Sequence, residues 1–143
     1  MLPRLAVPQV VVPIARLDRA ALRALAYARA ISSDVTAVHV TYDRAGAERM
    51  RERWALRQDG VPLVVIESPR RALIPPLLAY IDARQRQDGE RPIAVVLSEF
   101  VPRRFWEYLL HNQTALRLKV RLFFRPNTVV VDVPYHLADG APR

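Results

Sequence analysis

The side chains able to do chemistry in this 143-residue chain are few and scattered. There is no cysteine, which removes disulfides, thiolate metal sites and thiol nucleophiles together. The three histidines, His39, His111 and His136, stand far apart. None has a second histidine or a carboxylate at metal-ligand spacing. His39 lies inside a β-branched run, where a hydrogen-bonded structural histidine is the plainer reading. His111 is followed by Asn112, Gln113 and Thr114 and then by a helical pattern. Polar side chains beside the free N–H groups of a helix start suit either an anion site or a simple N-cap.

Ser98 and Glu99 follow the fourth β-branched run and are the one tempting nucleophile position. No glycine elbow surrounds them and no base is placed beside them, so hydrolysis is set aside. The four glycines (Gly46, Gly60, Gly89, Gly140) fall in turns, at a helix start or in the tail. No glycine-rich phosphate loop follows any strand. Phe100, at the expected tip of the fourth strand, has a face on which a base could stack, whereas Phe105, Trp106, Phe123 and Phe124 read as packing. Arg16, Arg19, Arg103 and Arg104 sit near the expected ends of the first and fourth strands. Each alone is an ordinary surface arginine; their shared address lets them converge on phosphate.

These residues are carried by an alternation of short apolar runs and longer helical stretches. Gln9–Ile14, Thr36–Thr41, Val61–Ile66, Pro92–Leu97 and Thr128–Val133 read as strands, the continuous valine runs implying burial on both faces. Asp18 and Asp43 are good N-caps for the helices that follow them, the second running over Arg44–Arg57. The Pro75-Pro76 pair places a helix start close to itself, in the stretch carrying Leu77, Tyr80, Ile81 and Arg84. Arg103–Phe124 reads as mostly helical. Strand–helix alternation calls for an α/β fold, a parallel sheet with helices on both faces and right-handed crossovers. In such sheets ligands sit beyond the carboxyl ends of the strands, where strand order reverses. Length and composition fit one domain over 1–143, with a core at 9–133 and a tail at 134–143. Half of the residues are hydrophobic (51%), enough for one contiguous core. No run is long enough to span a bilayer, and Pro8 and Pro13 interrupt the apolar N-terminal stretch, which predicts a cytoplasmic domain. The formal charge of +8 favours anionic partners, although the arginines are spread along the chain rather than concentrated in one stripe.

The opening VVVPIARLDRAALRALAYA, the second strand AVHV and the order of elements resemble the universal stress protein fold over essentially the whole chain. More specific stretches are SDVTAVHV (Ser33–Val40), GVPLVVIESP (Gly60–Pro69), EFVPRRFWEYLLHNQTALRLK (Glu99–Lys119) and VVVDVPYHL (Val129–Leu137). They are similar to the C-terminal cytosolic domain of bacterial amino acid–polyamine–organocation (APC) superfamily permeases, including potassium importers of the KimA type. The resemblance implies a five-stranded parallel sheet of order 3-2-1-4-5, a Rossmann-like three-layer sandwich. It further implies a non-enzymatic regulatory module at the inner face of the cell membrane, attached to or associated with a transmembrane transporter portion.

ATP-binding stress proteins carry glycines where Ser98, Val101 and His111-Asn112 stand here, and an acidic residue where Ala15 ends the first strand. That substitution pattern disfavours ATP or AMP held in the ordinary way. KimA-type domains pair with a mate and respond to cyclic di-AMP, and the resemblance carries that ligand onto Arg16, Asp18, Arg19, Thr41, Ser98, Glu99, Phe100, Arg103, His111 and Asn112. No cofactor is required. The homodimer contact implied is the fifth strand, a run of valines at a sheet edge. A purely structural dimerisation module is the alternative, and nucleic-acid binding ranks behind both because no recognition motif is present.

Overall fold

Val10, Val11 and Val12 are all fully buried, which requires the first strand to be covered on both faces. The computed structural model describes residues 7–57, 59–68, 74–101 and 127–136, with the backbone alone for 74, 99–101, 132 and 134–136. In chain order the elements are β1 (Gln9–Pro13), α1 (Arg19–Ile31), β2 (Val35–Thr41), α2 (Arg44–Ala55), β3 (Leu63–Glu67), α3 (Ile74–Gln87), β4 (Ile93–Val101) and β5 (Thr128–His136). The strands form one five-stranded sheet of order β3-β2-β1-β4-β5. Every ladder is parallel. The architecture and the strand order are those expected from the sequence.

The two-residue period of the strands divides the core cleanly. Val10, Val12, Ile14, Ala37, Ala94 and Val96 pack with Ala24, Leu25 and Ala28 of α1 and Met50 and Trp54 of α2. Val11, Val38, Ile93, Val95 and Leu97 pack with Leu77, Leu78 and Ile81 of α3 on the opposite face. Each fully buried Leu or Ile, such as Leu25 or Ile81, contributes about 1.5–3 kcal/mol. Because α1 and α2 lie on one face and α3 on the other, the chain reverses direction across β1 and β4. Right-handed crossovers produce this arrangement.

Local chemistry fixes the element ends. The Asp18 carboxylate accepts the Ala21 N–H at 2.9 Å and caps α1. The Asp43 carboxylate accepts the Gly46 N–H and caps α2. Pro75 and Pro76 occupy the first turn of α3, where a missing N–H costs nothing. Gly60 has φ +81°, a backbone region that only glycine enters freely.

The structure differs from the sequence expectation at several boundaries. α2 ends at Ala55 rather than Arg57, and β3 begins at Leu63 rather than Val61. Val61 serves instead as an anchor: its carbonyl accepts the Trp54 indole N–H at 2.8 Å. The larger correction concerns β4 and β5. Ser98, Glu99 and Phe100 do not follow β4 but lie within it, and Pro134–His136 belong to β5 rather than to a tail. The ladder runs on through Ser98↔Val133, Glu99↔Pro134, Phe100↔Tyr135 and Val101↔His136. Pairing with β5, not local sequence, extends this end of the sheet. The expected helix over Arg103–Phe124 lies outside the described residues. Among those described, no helix is long and apolar enough to cross a membrane.

Candidate functional site

Two strand ends and two helix starts meet on the α1/α2 face of the sheet. β1 leads through Ile14–Leu17 to the Asp18 cap, and β2 leads through Tyr42 to the Asp43 cap. Between them lies a cleft of about 490 Å³, within the size range of small-molecule sites. The amino ends of both helices open at this place, and their aligned peptide dipoles favour negative charge there.

Several of the groups lining the cleft are tied into the fold. Thr41 is buried, and its hydroxyl donates to the Asp43 carbonyl at 3.3 Å and accepts the Asp43 N–H at 3.4 Å. The carboxylates of Asp18 and Asp43 are held by the helix N–H groups they cap. They therefore shape the cleft and soften its positive potential without being placed for proton transfer. His39 is 8% exposed, with Nδ1 2.8 Å from the Ile14 carbonyl oxygen. That bond requires a proton on Nδ1 and leaves Nε2 as the ring's other polar atom. The other polar lining groups are Arg16 on the β1 side, Tyr42 just after β2, and Arg49 and Arg53 on α2. Tyr42 is 54% exposed.

Of the residues singled out in the sequence, Arg16, Asp18 and Thr41 are brought together here. Arg19 opens α1 exposed to solvent and does not line the cleft. Ser98 is half-buried in β4 and does not line it either. The side chains of Glu99 and Phe100, and all of Arg103, Arg104, His111 and Asn112, fall outside the described set. Tyr42, Arg49 and Arg53 were not legible as site residues. The signal available for the two arginines was helical spacing: Gly46, Arg49, Met50 and Arg53 follow the i, i+3, i+4, i+7 pattern of one helix face.

A second cleft, of about 460 Å³, lies at the amino ends of the strands. Its acids are already engaged, Asp59 by Arg57 and Asp34 by Arg91. Among the described residues no group of three or more His, Asp or Glu side chains could hold a metal ion. The arrangement at the first cleft can therefore attract an anion and offer an aromatic face to a flat ring.

Two comparisons with known proteins cover nearly the whole chain. The family model of the KimA potassium transporter C-terminal domain matches residues 6–135. The potassium transporter KimA of Bacillus subtilis (strain 168) is 33% identical over 130 residues, which make up 89% of this chain and 21% of that protein. The chain thus spans about a fifth of the length of the curated relative it matches.

Proposed function

The chain belongs to the KimA potassium transporter C-terminal domain family, and on that premise we propose that it is a non-enzymatic regulatory domain of an APC-superfamily transporter, acting at the cytoplasmic face of the membrane. Its ligand is cyclic di-AMP or a related adenine nucleotide, and its working form is a homodimer. The observation that carries this reading is the cleft at the carboxyl ends of β1 and β2, lined by Arg16, Arg49 and Arg53 beside an exposed Tyr42. Arginine suits phosphate through its planar fork of donors, and a tyrosine face suits a purine. Asp18 and Thr41 form the floor of the same site. Arg19, Ser98, Glu99, Phe100, Arg103, His111 and Asn112 complete the proposed ligand set.

Dimerisation through β5 is supported by its position. Among the described residues β5 has a strand neighbour on one side only, and Val129 is 54% exposed. A bare edge of valines is a template for pairing with another strand. A two-fold mate would present a second copy of the arginine-lined cleft to a ligand with two phosphates and two adenines.

Isothermal titration with cyclic di-AMP, ATP and AMP tests the ligand. Saturable heat is expected for cyclic di-AMP, and Arg16→Ala should weaken it by about 10-fold, as for loss of one charge-assisted hydrogen bond. No heat with any of the three would leave only a dimerisation module. Sedimentation of Val129→Lys tests the dimer: the variant should run as a monomer, and an unchanged dimer would move the contact elsewhere.

A further inference from the structure

We infer that the α2 face formed by Gly46, Arg49, Met50 and Arg53 is the phosphate-holding wall of the cleft, with Arg49 and Arg53 as the residues that clamp the phosphate. This deepens the nucleotide reading above and rests on it for the ligand class. It places the anion over the end of β2.

The argument begins with spacing. Arg49 and Arg53 are four residues apart on α2 and both line the cleft, so their Cβ atoms lie roughly 5–6 Å from each other. Like charges at that spacing repel and destabilise a helix, and an anion held between them removes the repulsion. Among the described residues, neither Arg49, Arg53 nor Arg16 forms an ion pair or a side-chain hydrogen bond. Elsewhere in the protein arginines with acids in reach do pair, as Arg57 does with Asp59 and Arg91 with Asp34. The two acids within the cleft, Asp18 and Asp43, each accept a helix N–H and form no ion pair with these arginines among the described residues.

The rest of this α2 face is filled or turned inward, which leaves the two arginines as its charged groups in the cleft. At Gly46, one turn before Arg49, the Asp43 carboxylate and the Thr41 hydroxyl fill the side-chain position, and Met50 turns towards the core. Arg16 comes from the segment after β1, so a phosphate seated on α2 meets a third guanidinium from the β1 side. Glu48 and Glu52 are exposed on α2 but do not line the cleft, which leaves the positive face of the helix directed to the site.

The test pairs calorimetry with ¹⁵N NMR of the arginine Nε–Hε groups on the 143-residue chain. The probes are cyclic di-AMP, AMP, adenosine and pyrophosphate. The double variant Arg49→Gln/Arg53→Gln should lose about 100-fold in affinity for cyclic di-AMP, as for two charge-assisted contacts, while its affinity for adenosine stays within about 3-fold. Arg51→Gln, on another face of α2, should bind like the unaltered protein, and circular dichroism should show all variants folded, since each site is exposed. Undiminished binding of cyclic di-AMP by the folded double variant would overturn the α2 wall and leave the nucleotide reading standing. If the unaltered protein binds no nucleotide, the nucleotide reading falls, and pyrophosphate decides the wall by itself. Shifts of the Arg49 and Arg53 Nε–Hε signals would uphold an anion site there, and their absence would sink it.

Discussion

The Nδ1 atom of His39 lies 2.8 Å from the carbonyl oxygen of Ile14, while the Ile14 N–H donates to the Val38 carbonyl at 2.8 Å. Both backbone groups of Ile14 are thereby satisfied at the point where β1 stops and the cleft begins. Ile14 is almost wholly buried, so its carbonyl has no water to turn to. His39→Ala should leave that oxygen unpaired and cost about 1–3 kcal/mol, read as a fall in Tm of roughly 3 °C per kcal/mol for a chain of this size. An unchanged Tm would mean that the bond contributes nothing to the β1–β2 junction.

Gly46 offers a second, less obvious test. Replacing an exposed helix glycine by alanine normally stabilises by about 1 kcal/mol. Here a Cβ would stand 2.5 Å from Asp43 Oδ1 and 2.9 Å from Thr41 Oγ1. The Asp43 carboxylate is fixed by its bond to the Gly46 N–H, so it cannot swing aside without giving up the cap. Losing that cap costs about 1 kcal/mol. Gly46→Ala should therefore fail to raise the stability and should lower it modestly. In an Asp43→Ala background the same change should cost less, because only the Thr41 contact remains, and chemical denaturation of the four proteins in the cycle measures the coupling.

The turn after α2 holds an acid-sensitive contact. Burial pushes the Asp59 carboxyl up, but the hydrogen bond from Arg57, the Val61 N–H and the charges of Arg57 and Arg29 outweigh it and hold the group below its ordinary value of 3.8. The Arg57 Nε donates to Asp59 Oδ2 at 3.0 Å and the Val61 N–H to Oδ1 at 3.2 Å. A carboxyl that is more acidic folded than unfolded stabilises the fold fully above its unfolded value. That stability is lost as pH falls through the folded value. The urea midpoint should drop as pH falls from about 5 to below 3.8, and Asp59→Asn should flatten that part of the profile. A parallel profile in the variant would assign the acid limb to other carboxylates.

At the opposite end of the sheet, Asp34 holds two arginines from elements distant in sequence. Its carboxylate lies 2.8 Å from Arg91 and 3.6 Å from Arg84. Arg91 also donates through Nε to the Val7 carbonyl at 2.9 Å, which ties the segment before β1 to the start of β4. The Arg84 Nε is buried without a hydrogen-bond partner, so this guanidinium depends on Asp34 for its compensation. Partial exposure of all three side chains screens the charges. Asp34→Ala should cost about 1–2 kcal/mol, between the ranges for exposed and buried pairs. Thermal melts of Asp34→Ala and Arg84→Met decide it: the second should be the milder, because it removes the stranded nitrogen along with the charge.

By itself the sequence determined the layers and most element starts. The valine runs of β1, β2 and β4 could only be strands buried on both faces, and Asp18, Asp43 and the Pro75-Pro76 pair each mark a helix start through strictly local chemistry. The strand order also came from the sequence, but by family resemblance rather than from periodicity. What tertiary structure decided were the features that depend on a distant partner. Ser98 and Glu99 read locally as residues past a strand and Pro134 as the start of a tail, yet β4 and β5 continue through them because each supplies the other's backbone partners; a proline is tolerated in an edge strand, and among the described residues β5 pairs on one side only. The cleft followed the same rule. Arg16, Asp18 and Thr41 were visible as neighbours of strand ends, whereas Arg49 and Arg53 were two exposed arginines among many. Only the right-handed crossover after β2, which sets α2 beside the loop leaving β1, turns their helical spacing into one charged wall.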